Sequence, residues 1–204
     1  MSTFATRAAL VLLFTPMAFA ASNTDLAIKG SITPSACELL MSSGGVVDFG
    51  KMSAKTLNAE QFTSLPNQAM EFSVRCEGPT FFTLNTIDNR AGSSANHDNW
   101  HGLGMTPDGE KLGGAALALR ELVADGIPAR PIVSEDGGMT WKPAVALNHV
   151  MLTAVAMGNE LVPIAVKNLD AQLSLYTHIA PAERLTLIDE VPVDGHATVQ
   201  LNYL

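Results

Sequence analysis

The chain is poor in the residues that would announce a chemistry. Its 204 residues include two cysteines, and 12 Lys and Arg stand against 20 Asp and Glu, a formal net charge of −8. Two cysteines rule out a disulfide-dense scaffold. Without a CxxC or Cys–His spacing, they also make no zinc site. The shortage of basic residues leaves no patch or stripe to neutralise phosphates, so nucleic acid is not an expected partner. No uncharged run approaches the roughly 20 residues of a bilayer span, so no membrane span is expected. There is no P-loop, no dinucleotide fingerprint and no nucleophile elbow. Acidic pairs such as Glu135-Asp136 and Asp189-Glu190 sit at turn signals and read as solvated loop charges. No catalytic residue and no cofactor is expected, and the chain reads as a non-enzyme.

What is present begins with an export signal. Arg7 supplies a positive n-region, Ala8 to Phe14 form a short apolar run, and Pro16 breaks it. Ala18-Phe19-Ala20 then forms a small-x-small cleavage site. Residues 1–20 are therefore expected to be removed, leaving 21–204 as one domain. Export leads to an oxidising compartment, where Cys37 and Cys76 are expected to pair. The bridge closes a loop of about 40 residues and adds roughly 4 kcal/mol of stability.

The mature chain reads as all-β. Short segments rich in Val, Ile, Leu, Thr and Phe recur between Gly, Pro, Asn and Asp punctuation. Expected strands are Leu26–Ile32, Val46–Phe49, Met70–Cys76, Phe81–Ile87, Ala115–Val123, Leu161–Val166, Leu173–Ile179 and Leu185–Ile188. Ile132-Val133 and Thr140-Trp141 bracket a tight turn. The last nine residues alternate cleanly: Ala197, Val199, Leu201 and Tyr203 share one face, and His196, Thr198, Gln200 and Asn202 the other. Arg90–Gly104 is polar and reads as a surface loop. Pro143–Met157 is apolar and fits a short helix or a strand pair. The pattern predicts an antiparallel β-sandwich.

Two local motifs carry candidate chemistry. Ser134–Trp141 reads SEDGGMTW, the Asp-box pattern found repeatedly in sialidase propellers, with Ser134, Asp136, Gly138 and Trp141 at its fixed positions. One copy, few arginines and too short a chain for a propeller leave a structural hairpin, with sugar contact by the exposed turn as the second reading. His97 and His101 stand four apart around Trp100, but Asn96, Asp98, Asn99 and Gly102 mark a loop, and no metal site is expected. His149, His178 and His196 are scattered and read as surface positions.

The order of segments is the more specific signal. IKGSITPSACELLMSSGGVVDFGKM, then EFSVRC, then the terminal HATVQLNYL resemble the subunits of the chaperone–usher fimbrial class. An alternating strand runs through Gly30 into Cys37, a V-D-F-G segment follows, an F-x-V-x-C strand closes at Cys76, and Tyr203 is penultimate. The chain from Ser22 to Leu204 also resembles a proteobacterial family of fimbria-like secreted proteins known as domain of unknown function 1120. That likeness includes the IAPA segment (Ile179–Ala182) and an LDG-like turn at Val193-Asp194-Gly195.

The resemblance implies an immunoglobulin-like, pilin-type sandwich lacking one strand. A periplasmic chaperone would supply the missing strand and an usher would pass the subunit on. The extension of another fimbrial subunit would then replace the chaperone's strand. Ala197, Val199, Leu201 and Tyr203 would face the strand-accepting groove. Leu26 and Ile28 are the candidates for this chain's own donor strand, but the extension looks too short and polar to donate well. A structural or adhesive role is expected, in the periplasm and then at the cell surface, in a fimbrium or secreted. The alternative is a complete, self-contained periplasmic or secreted sandwich that holds a carbohydrate with loops such as Ala91–Gly104.

Overall fold

The computed structural model describes residues 36–204; Leu26, Ile28, the expected strand Leu26–Ile32 and the expected signal segment lie outside them. Twelve strands follow in order: β1 (Cys37–Met41), β2 (Thr63–Ser64), β3 (Gln68–Thr80), β4 (Phe82–Asp88), β5 (His101–Gly102), β6 (Gly113–Ala124), β7 (Ile127–Ser134), β8 (Lys142–Pro143), β9 (Ala146–Leu147), β10 (Leu152–Met157), β11 (Val166–Ile179) and β12 (Ala197–Tyr203). Three short 3-10 turns are the only helical pieces among the described residues.

The long strands pair antiparallel in the order β1-β3-β11-β6-β7-β10-β4-β12. They form two layers, β1-β3-β11-β6 and β7-β10-β4-β12. The layers are joined where Val123 and Ala124 of β6 pair with Pro128 and Ile127 of β7. The all-β expectation and the sandwich are thus both observed. Alternation explains the core: Phe72, Val74 and Cys76 of β3 and Leu169 and Leu173 of β11 meet Phe82 and Leu84 of β4 across the layers. Each points inward because every second side chain of a strand shares a face.

β6 departs from simple alternation. Glu121 adopts φ 52°, and the ladder to β11 shifts between Asp170 and Gln172. This bulge lets Leu119 and Leu122, three apart, both bury.

Several expected strands are irregular. Val46–Phe49 and Leu185–Ile188 make no ladder, and of Leu161–Val166 only Val166 is in a strand. The first follows Gly44 and Gly45, both at positive φ, and runs into Gly50, also at positive φ, so its backbone turns away. Leu161–Val166 contains Pro163, which has no N–H to give a ladder. Phe49 and Leu187 instead pack on a second cluster built by Leu65, Leu103, Leu112, Ala115, Ile179, Ala180 and Leu185. Thr140-Trp141 is also not a strand: β7 pairs with Lys142 and Pro143, one turn residue later. Pro143–Met157 resolves into strands, with no helix.

Arg90–Gly104 is not merely a surface loop, since Ser93, His101 and Leu103 are buried. Gly102 permits this, because a Cβ there would lie 2.0 Å from Ser93 Oγ and 2.5 Å from the Arg90 carbonyl.

Cys37 and Cys76 stand opposite each other in the β1–β3 register and are bonded, at a sequence separation of 39. The bridge fixes the edge strand β1 to the sheet. The double variant Cys37→Ser/Cys76→Ser is expected to lose about 4 kcal/mol of unfolding free energy, read from urea titrations of the oxidised wild type and the variant. An unchanged midpoint would contradict this.

Candidate functional site: a cleft between two bare strand edges

β12 pairs with β4 along its whole length, from Ala197 opposite Asp88 to Tyr203 opposite Phe82. Its other edge has no strand partner among the described residues. β1 is likewise paired on one side only, to β3. These edges face each other, and at one end they touch: Cys37 N–H donates to Tyr203 Oη at 3.1 Å. From that contact the edges diverge into a cleft of about 570 Å³.

The cleft has an apolar floor and two apolar walls. Met70, Leu117, Leu173 and Leu175 form the floor, and Met41, Val47, Phe49 and Leu57 one wall. Leu187, Val191, Ala197 and Val199 form the other. Ala197, Val199 and Leu201 are only half-buried, Tyr203 is 41% exposed, and the alternate residues Thr198, Gln200 and Asn202 are exposed. The terminal strand thus turns an apolar face towards space that the described residues leave partly open.

Two sequence motifs hold the walls in place. In Val193-Asp194-Gly195, Asp194 N–H donates to the Leu103 carbonyl at 3.0 Å. Arg90 pairs with its carboxylate and donates through Nε to its carbonyl at 3.0 Å. This tether aims the chain into β12. In Ile179–Ala182, Ala180 N–H reaches the Leu112 carbonyl and Ala182 N–H the Asn58 carbonyl, both at 2.9 Å. Just beyond, Glu110 accepts from Thr186 N at 2.6 Å and from Thr186 Oγ1 at 3.0 Å. The Thr186 amide is the main reason that the Glu110 carboxyl titrates below its usual range. Leu185 and Leu187, on either side of Thr186, are thereby held against the cleft.

His101 sits at the deep end, 3% exposed. Its Nδ1 donates to the Ala115 carbonyl at 3.3 Å, so the neutral ring's Nε2 accepts from Thr86 Oγ1 at 2.7 Å. Burial, the largest influence, pushes its pKa below the ordinary value near 6.5, and His149 acts in the same direction. The Ala115 carbonyl and the Asp88 charge oppose this without overcoming it. His149 and His178 are half-buried rather than on the surface. His97, Trp100 and His178 form a chain of ring contacts at 5.5 and 4.9 Å. Among the described residues no group of three His, Cys, Asp or Glu side chains is arranged to hold a metal.

The Asp-box closes on itself. Ser134 Oγ donates to Asp136 Oδ1 at 2.7 Å and accepts from Gly138 N at 2.8 Å. Thr140 N–H donates to Asp136 Oδ1 at 2.9 Å, and the Thr140 hydroxyl also reaches the carboxylate. The Thr140 and Ser134 hydroxyls hold that carboxyl far below the carboxylate range. Trp141 packs on Ile132, Ala154 and Ala156.

The family model described as protein of unknown function (DUF1120) matches residues 26–101. The resemblance to that family holds. Protein GltF of Escherichia coli strain K12 is 27% identical over 237 residues, covering 95% of this chain and 93% of the relative. The uncharacterized protein YhcF of the same strain is 23% identical over 195 residues, covering 83% and 77%. The family match runs from before β1 to β5, so it takes in one edge of the cleft, the disulfide and His101. The disulfide fits an exported protein, and among the described residues no helix is long and apolar enough to cross a membrane.

Of the four residues that the sequence reading set towards a groove, Ala197 and Val199 line the cleft, whereas Leu201 and Tyr203 lie outside its lining. That reading missed the opposite wall, because Val47 and Phe49 read as a strand, and it left His101 in a loop. The one available signal was Gly102 beside His101: a glycine inside a polar loop often marks close backbone approach.

Two outcomes follow from this geometry. Tyr203→Phe removes the acceptor for Cys37 N–H and is expected to cost about 1 kcal/mol. Hydrogen exchange should show faster exchange at Cys37 while the β3 and β11 amides stay protected. Because the folded state resists protonating His101, the unfolded chain binds the extra proton first. Stability is therefore complete above pH 6.5, falls as the pH drops below it, and levels off once the folded ring also protonates. Urea midpoints between pH 8 and pH 4 should show this fall, and His101→Gln should lessen it; an unchanged slope in the variant would assign the fall elsewhere.

Proposed function

We propose that this chain is a strand-accepting envelope subunit of the fimbrial type, with a structural or adhesive role and no catalysis. The observation that carries the reading is the pair of bare edges, β1 and β12, facing each other across an apolar cleft. An unpaired edge presents a row of N–H and C=O groups that favours addition of another strand. β12 offers seven residues, about 23 Å of ladder. An incoming strand that buries five aliphatic side chains at about 1.5–3 kcal/mol each gains roughly 8–15 kcal/mol before ordering costs. A periplasmic chaperone is the proposed first partner, and an extension from another subunit, delivered by an usher, the second.

Export by the segment 1–20 and residence in the periplasm, then at the surface, belong to the same proposal. So does a tip or terminating position, since Leu26 and Ile28 are sparse apolar residues for a donor strand.

Val199→Lys, on the half-buried face of β12, tests the reading. Wild-type mature protein should gain protease resistance when co-expressed with a fimbrial periplasmic chaperone, and the variant should lose that gain at least tenfold. A wild-type monomer equally resistant without any chaperone would instead favour the self-contained binding module.

A further inference from the structure

The floor of the cleft is apolar with one interruption. Along β11 the inward row reads Leu173, Leu175, Thr177, Ile179, and all four line the cleft. Thr177 is 2% exposed, and its Oγ1 has no hydrogen-bond partner among the described residues. A buried hydroxyl left unpaired is unfavourable, and native structures rarely retain one without a reason.

The register shows what surrounds it. Thr177 pairs with Ala115 of β6, and Ala115 pairs with His101 of β5. Directly opposed residues of neighbouring strands share a face, so His101, Ala115 and Thr177 form one row across three strands. All three line the cleft. Ala115, between imidazole and hydroxyl, is the small member of the row and is itself buried. Both His101 nitrogens are occupied, by the Ala115 carbonyl and by Thr86 Oγ1. The Thr177 hydroxyl is therefore the free polar group of the row.

Resting on the strand-accepting reading above, we propose that this row is a specificity subsite: the strand that enters carries alternating apolar residues and one small hydroxyl or amide side chain, set over Ala115, that bonds Thr177 Oγ1. The backbone of an added strand is used in pairing with the bare edges, so a side chain must meet the hydroxyl. A large apolar side chain there would leave the buried hydroxyl unpaired, whereas a small polar one completes the bond.

The test uses the oxidised mature protein and labelled 13-residue peptides with Val at five alternate positions and Lys or Thr between them. A single Ser is walked through the five Val positions, and binding is read by fluorescence anisotropy. One Ser position is expected to bind about tenfold tighter than the all-Val peptide, the size of one satisfied buried hydrogen bond. Thr177→Val, which has nearly the same shape, should abolish that preference while still binding the all-Val peptide. The free variant should also melt about 2–4 °C higher, having lost an unpaired buried hydroxyl. If every peptide binds wild type and Thr177→Val alike, the subsite is overturned and the cleft reading stands. If no peptide binds either protein, the cleft reading fails and the subsite with it.

Discussion

Backbone hydrogen bonding at the two ends of the strand order governs this molecule. Among the described residues, each inner strand of the path from β1 to β12 has ladder neighbours on both sides, whereas β1 and β12 have one each. Had those two edges met along their length, the layers would close and the cleft would vanish. Among the described residues they are joined by the hydrogen bond from Cys37 N–H to Tyr203 Oη, and the disulfide beside it holds β1 to β3. Along the opening that follows, Ala197 and Val199 of β12 and Leu175 of β11 remain half-buried.

The walls of that opening come from parts of the chain with little regular structure. Residues 45–57 and 185–193 bring Phe49, Leu57, Leu187 and Val191 against the second core cluster, and short tethers hold them. Glu110 binds Thr186, Arg90 binds Asp194, and Gly50 N–H closes on Asp48 Oδ1 at 2.7 Å. The arrangement keeps the cleft apolar without a ladder across it. An added strand is one occupant that would supply the missing ladder.

The Asp-box illustrates how a motif with an enzymatic association can be spent on architecture. Asp136 accepts from Ser134 and from both the amide and hydroxyl of Thr140, and Trp141 anchors the turn to the β7–β10 layer. These polar groups bond within the turn that joins β7 to β8.

Period-two alternation was legible wherever one face of a strand is buried by the opposite layer. Phe72, Val74 and Cys76, then Phe82 and Leu84, and the Ala197–Tyr203 face all follow from the order of side chains alone. So did the pairing of two lone cysteines. The bulge at Glu121 was not legible, because it depends on how β6 must bend against β11. The irregular course of Val46–Phe49 was hidden for a similar reason, since its apolar residues satisfy a tertiary cluster rather than a ladder. Which edges stay bare, and that Thr177 and His101 lie in one row, are facts of strand order and register. Local sequence sets which face of a strand is apolar; only the assembled sheets decide what, if anything, lies opposite it.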